Sequence, residues 1–214
     1  MSGVRIVIFA KAPVPGLAKT RLIAALSAQG AAHLARRMLD HTLAQALAAE
    51  VGPVELCVTP SPVEAVWQTF AAPAIAAWSD QGDGDLGTRM ARAARRVVSA
   101  GESVLLIGTD CPTLDVAHLR RAADSLQHFD ATLVPTADGG YVLLGLNRFH
   151  ASLFESIEWS TDGVAAETRR RLEQLRWTVQ NNPTVHDIDE PADLRWLPRD
   201  WLESMQEQEL ANAK

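Results

Sequence analysis

Apolar positions along this chain fall into two kinds of stretch: short, nearly uninterrupted runs, and longer segments in which they recur every three or four residues. Residues 4–10 (VRIVIFA) are a β-branched run without clean alternation, the mark of a strand buried on both faces in a parallel sheet. Residues 54–59 (VELCVT) and 103–108 (SVLLIG) predict two more strands, 131–135 and 142–146 another two, with a weaker candidate at 74–78 (AIAAW) and a last strand at about 176–186. Between them, residues 27–49 place Leu34, Met38, Leu43 and Leu47 at helical spacing, with Ser27 as N-cap. Further helices are expected at about 86–100, 115–127 and 163–174, and Pro62 opens a short one at its first turn. From Pro198 onward the chain is polar and helix-prone.

Strands that alternate with helices mean βαβ units, right-handed crossovers and a mostly parallel sheet. The expectation is one three-layer α/β domain over residues 1–198, followed by a polar tail, 199–214, that is helical. In such sheets ligands bind outside the carboxyl ends of the strands, so the polar and glycine-rich loops that follow strands or open helices should gather on one edge.

Composition narrows the function classes. The 214 residues are 47% hydrophobic and 21% charged, an ordinary globular balance. Acidic residues number 26 against 20 basic ones, for a net charge of −6, a poor basis for coating nucleic acid or an anionic membrane. Two cysteines, Cys57 and Cys111, supply neither a disulfide scaffold nor a cysteine-rich zinc module. The N-terminal segment lacks a basic n-region and a long apolar core, and no run approaches the ~20 apolar residues of a membrane span. The expected location is the cytoplasm.

Four segments carry candidate chemistry. After the first strand, Lys11, Lys19 and Arg21 bring three cations within eleven residues, with Gly16 free to turn and Pro13 and Pro15 stiffening the loop. That reads as a phosphate cradle; the alternative is a solvated basic turn. The glycines of a Walker loop and of the GxGxxG fingerprint are absent. Asp110 directly follows SVLLIG, and Asp187 and Asp189 follow the last strand. Carboxylates at two strand ends on one edge could hold a Mg²⁺ or Mn²⁺ ion against phosphate oxygens; otherwise they are turn and helix-capping residues.

The other two segments are glycine-rich. In QGDGDLGTRM, Gly84, Asp85, Gly87 and Arg89 open a helix, where backbone amides could meet a phosphate or base edge; the alternative is Asp85 as N-cap and Arg89 on the helix surface. In Asp138-Gly139-Gly140-Tyr141, which contains the only tyrosine, Asp138 could orient a sugar hydroxyl or act as general base; the alternative is a plain hairpin turn. The six histidines are scattered and read as surface or satisfied residues, and Trp159 and Thr168 read as packing.

Taken together, FAKAPVPGLAKTRL, QGDGDLGTRM, GTDCPTL, DGGYVLLGL, WSTDGV and DIDEPADL occur in an order that resembles the DUF2064 family. That family is glycosyltransferase-like, is linked in some members to arsenosugar biosynthesis, and belongs to the nucleotide-diphospho-sugar transferase superfamily. The resemblance spans roughly residues 4–196 and implies a Rossmann-like GT-A fold with a mixed, mostly parallel sheet. It implies that Lys11, Gly16, Lys19 and Arg21 contact nucleotide phosphates and that Gly84, Asp85, Gly87 and Arg89 help hold the nucleotide. Asp110 and Asp189 match metal-binding positions, Asp138 is the candidate catalytic residue, and Gly139, Gly140 and Tyr141 face the sugar or acceptor. The lead into DGGY, Val134-Pro135-Thr136-Ala137, departs from the Gly-Pro-Ala-like pattern expected there.

The leading expectation is a Mg²⁺- or Mn²⁺-dependent glycosyltransferase acting on a nucleotide-sugar and a small-molecule acceptor. The alternatives are a nucleotidyltransferase that releases pyrophosphate and a nucleotide-binding protein without turnover. All of them require Asp110 and Asp189 to converge beside the cationic loop.

Overall fold

The computed structural model describes residues 3–68, 70, 75 and 77–202. Seven strands form one sheet: β1 Val4–Lys11, β2 Val54–Thr59, β3 Ala77–Asp80, β4 Ser103–Ile107, β5 Ala131–Pro135, β6 Tyr141–Leu146 and β7 Val179–Asn181. Their order is β3-β2-β1-β4-β6-β5-β7. Every pairing is parallel except those of β6, which runs antiparallel to both β4 and β5. This is the α/β, mixed and mostly parallel sheet expected from the alternating pattern.

Among the described residues, four α-helices cover the two faces: α1 Ile23–Ala49, α2 Leu86–Ser99, α3 Val116–Ser125 and α4 Val164–Gln174. On one face Ile6, Ile8 and Leu105 pack against Leu39 and Leu43 of α1 and Leu119 of α3. On the other, Val7, Leu106 and Leu144 meet Met90 and Val97 of α2 and Leu172 of α4. Strand residues thus alternate between two apolar layers, and all five positions of β4 and of β5 are buried. That double burial is why these strands read as continuous apolar runs.

Three expectations need adjustment. The long helix begins four residues early, at Ile23, but its backbone breaks at Ser27 (φ 60°, ψ 168°). The Ser27 hydroxyl accepts the Gly30 amide at 3.2 Å, so Ser27 does cap the main helix after a single preceding turn. The last strand, expected over 176–186, is only Val179–Asn181, because Pro183 has no amide to give the ladder. The chain still follows β5: the Asn182 side chain donates to the Leu133 carbonyl at 3.1 Å, and Val185 bridges Thr136. The short helix expected at Pro62 is a 3₁₀ turn, Ala65–Trp67. The 74–78 candidate falls partly outside the described residues, with β3 starting at Ala77, and so does most of the 199–214 tail. No described helix is long and apolar enough to cross a membrane.

Candidate active site

Because β6 runs against its neighbours, its first residue, Tyr141, lies on the same edge of the sheet as the last residues of β1, β4 and β5. The four chemically suggestive segments therefore meet there. They enclose a cleft of about 660 Å³ whose lining includes Lys11, Lys19, Arg21, Asp110, Asp138 and Asp189.

At its centre is Lys19. Its ammonium donates to Asp110 Oδ1 at 2.7 Å, to Asp189 Oδ1 at 2.6 Å and to the Ile188 carbonyl at 2.6 Å. An ammonium has three protons, so all of its donors are used on protein acceptors. The Lys19 side chain is 8% exposed, whereas those of Asp110 and Asp189 are 48% and 40% exposed. Burial pulls the Lys19 pKa down, but the Asp110 and Asp189 carboxylates outweigh it and the net shift is upward. Its backbone is left-handed (φ 47°, ψ 45°), at the start of the 3₁₀ turn Thr20–Leu22. A second contact locks the strand ends together: the Ile188 amide donates to the Asp110 carbonyl at 2.8 Å. Asp187 also lines the cleft. Burial, with the Asp138 and Asp189 charges, lifts its pKa to about 6.

The other cations divide into two kinds. Lys11 and Arg21 line the cleft, are exposed, and form no ion pair or side-chain hydrogen bond among the described residues. Arg89 is engaged from behind: Nε donates to the Gly84 carbonyl at 2.9 Å and Nη1 to Gln81 Oε1 at 3.3 Å. Gln81 was not singled out by sequence, yet it is buried, and its amide donates to the carbonyls of Ala10 and Cys57 at 3.2 and 3.0 Å. It ties the ends of β1 and β2 to the loop that opens α2. An isolated Gln before Gly-Asp carries no sequence signal of this, since its partners lie far away along the chain.

Several candidate residues serve the loops and do not line the cleft. Asp85 caps α2, its Oδ1 accepting the Thr88 amide at 2.8 Å. Gly87 sits where a Cβ would lie 2.4 Å from the Phe154 carbonyl, and Gly139 (φ +90°) where it would lie 2.0 Å from that of Asp162. Gly16 (φ 79°) and Gly84 (φ 103°) provide left-handed turns. Asp138 lines the cleft, and its Oδ1 accepts the Thr136 hydroxyl at 2.5 Å and the Gly140 amide at 2.9 Å. Gly140, Tyr141 and Trp159 line it as well. Among the described residues, the Tyr141 hydroxyl, Trp159 Nε1 and the Thr168 hydroxyl are buried with no hydrogen-bond partner. Burial pushes the Tyr141 pKa well above its ordinary value.

With this geometry in place, comparison with known proteins identifies the lineage. The model of a family described as "Uncharacterized protein conserved in bacteria (DUF2064)" matches residues 42–161. The chain belongs to the DUF2064 family. A provisionally assigned nucleotide-diphospho-sugar transferase from Desulfovibrio desulfuricans G20 is 31% identical to this DUF2064 protein, with a TM-score of 0.85 over 94% of this chain and 88% of that one. Two more distant structures share the fold. A CMP:2-keto-3-deoxy-manno-octonic acid synthetase complexed with CTP is 13% identical, with a TM-score of 0.54 over 97% and 100% of the two chains. The Mycobacterium tuberculosis H37Rv protein Rv0371c, in complex with manganese, is 18% identical, with a TM-score of 0.51 over 92% and 98%. No curated protein matches the chain.

Among the described residues, no three His, Cys, Asp or Glu side chains form a metal-binding group. The Asp110–Asp189 pair nevertheless suits a hard divalent ion, which commonly takes one or two carboxylates and completes its shell with phosphate and water. Their oxygens already close on one cation, the Lys19 ammonium.

Proposed function

We propose that this DUF2064 protein is a glycosyltransferase that moves a sugar from a nucleotide-diphosphate donor to a small-molecule acceptor, with Mg²⁺ or Mn²⁺ held by Asp110 and Asp189. The observation that carries the reading is the convergence of those two carboxylates on one point at the carboxyl edge of β4, beside the unpaired Lys11 and Arg21. The likeness to the D. desulfuricans protein supports it, and the CTP and manganese complexes show that this fold elsewhere accommodates both a nucleotide and a metal.

In this scheme Lys11 and Arg21 bind the diphosphate oxygens and orient the donor, Arg through paired donors. A bound divalent ion supplies neutralisation of the charge that develops on the departing diphosphate. In the same cleft, Asp138 accepts the proton of the attacking acceptor hydroxyl. The Thr136 hydroxyl and the Gly140 amide fix its carboxylate in place. The new bond joins the acceptor oxygen to the sugar carbon, the bond from that carbon to the β-phosphate oxygen breaks, and the nucleoside diphosphate leaves with the electron pair.

A second reading, nucleotidyl transfer, draws on the same cations, since Lys11 and Arg21 serve a triphosphate equally well. One experiment separates the two. The protein is incubated with Mn²⁺ and either UDP- and GDP-sugars plus an acceptor panel, or UTP, GTP and CTP plus sugar phosphates. Release of a nucleoside diphosphate in the first set supports glycosyl transfer. Pyrophosphate released only in the second set overturns it in favour of nucleotidyl transfer, and binding without turnover in either set favours a non-catalytic role.

A further inference from the structure

Lys19 is the one cation of the basic loop that the cleft's own carboxylates consume. Lys11 and Arg21 are free for a ligand, whereas the three Lys19 protons go to Asp110, Asp189 and the Ile188 carbonyl. As placed, Lys19 has no proton left for a phosphate oxygen. It also stands at the point on which the two proposed metal-binding oxygens close. One side chain therefore blocks two interactions: the carboxylates cannot take a second cation while the ammonium lies between them, and the ammonium cannot serve a phosphate while they hold it.

From this geometry we propose that Lys19 is a displaceable internal cation that couples divalent-metal binding to nucleotide binding. When Asp110 and Asp189 exchange the ammonium for a divalent ion, the three Lys19 protons become available to the diphosphate. A diphosphate that draws Lys19 away likewise leaves the two carboxylates without a counter-ion, which raises their affinity for the metal. The two ligands must then strengthen each other by the same factor, because coupling between two binding equilibria is reciprocal. The loop is built for such an exchange. Lys19 carries a left-handed backbone (φ 47°) and follows Gly16, also at positive φ (79°); small changes at these two positions re-aim the side chain. The 8% exposure of the Lys19 side chain against 48% and 40% for the two carboxylates leaves the acids open to solvent while the lysine is covered.

The inference rests on the metal site proposed above and is tested by binding, without turnover. Mn²⁺ binding to the full chain is followed by electron paramagnetic resonance of the free ion, alone and with UDP, GDP or CDP, for wild type, Lys19→Met and Asp110→Asn. In the wild type at least one nucleotide should tighten Mn²⁺ binding about tenfold. Lys19→Met should bind Mn²⁺ alone about tenfold more tightly than wild type, and the nucleotide should then tighten it less than it does in wild type. Mn²⁺ binding that needs Asp110 but is no tighter in Lys19→Met overturns the displacement and leaves the metal site standing. Binding that ignores Asp110→Asn, or no binding at all, overturns the metal site and the inference with it. Should Lys19→Met fail to fold, the ¹⁵N ammonium signal of Lys19 in the wild type decides. It should move when Mg²⁺ and the nucleotide are added, and an unchanged signal at saturation overturns the displacement.

Discussion

The Asp110 carbonyl accepts the Ile188 amide at 2.8 Å, and this backbone contact, not the carboxylates themselves, holds the two strand-end loops together. It brings Asp110 and Asp189 side by side before any cation is considered. Two carboxylates brought that close repel each other, and Lys19 relieves the repulsion. The backbone thus sets the geometry and the side chains supply a replaceable charge balance.

Asp110→Asn should abolish the Mn²⁺-dependent part of nucleotide binding. The amide keeps the shape of the carboxylate but gives up the charge a hard cation needs. Because Asp110 is half exposed, the cost to folding should be only about 1 kcal/mol. Titration calorimetry of UDP, GDP and CDP with and without Mn²⁺ checks this; an equal response to Mn²⁺ in both proteins refutes the assignment.

Lys11→Met and Arg21→Met should each weaken nucleotide-diphosphate binding about tenfold, the worth of a charge-assisted hydrogen bond. Neither cation has a side-chain partner among the described residues, so stability should stay within about 0.5 kcal/mol of wild type. Calorimetric binding beside urea unfolding measures both quantities. A large stability loss with unchanged binding would mean that these side chains serve the loop instead.

Much of this arrangement was legible in the sequence, for definite reasons. The buried strands announce themselves because both faces are apolar, and Asp110 follows the clearest of them. The Ser27 cap was legible because capping is local. What escaped is non-local or irregular. The strand predicted over 176–186 shrinks to three residues because Pro183 has no amide to give the ladder, although the Asn182 amide and side chain still donate to the Leu133 carbonyl. The Lys19–Asp189 pair joins positions 170 apart, and spacing alone could not say that Lys19 faces carboxylates first. Asp85 takes the N-cap role that the sequence offered as its alternative, whereas Gln81 drew no attention because its partners come from other strands.

Gly139→Ala should be destabilising by about 1–3 kcal/mol. Its φ is +90°, and the added Cβ would lie 2.0 Å from the Asp162 carbonyl. The Ala165 amide donates to the Gly139 carbonyl at 2.9 Å, so the substitution also pushes the start of α4 away from the Asp138 loop. Gly140→Ala is the control. There the Cβ would meet the Thr136 hydroxyl at 3.1 Å without a positive φ, and the loss should be about 1 kcal/mol or less. Urea unfolding of the two variants, with equal losses, would refute this reading of Gly139 as a packing glycine.

A pH-dependent part of the stability should map to Glu167 on α4, on the other side of that loop. Its carboxylate accepts hydrogen bonds from Arg170 and Arg171, which hold its pKa at about 2. Arg171 also donates to the carbonyls of Ser152, Glu155 and Ser156, tethering the segment that leads to Trp159 at the cleft. A carboxyl whose pKa is depressed in the folded state stabilises the fold above its ordinary value near 4.5, and the unfolded chain takes up the proton first as the pH falls. The contribution is therefore complete at pH 6 and is lost between about 4.5 and 2. Glu167→Gln should be less stable than wild type at pH 6, with the gap closing through that window. Thermal midpoints measured from pH 6 down to 2 read the gap directly. A gap that stays constant would assign the loss to packing, because only a titrating carboxylate can make it close.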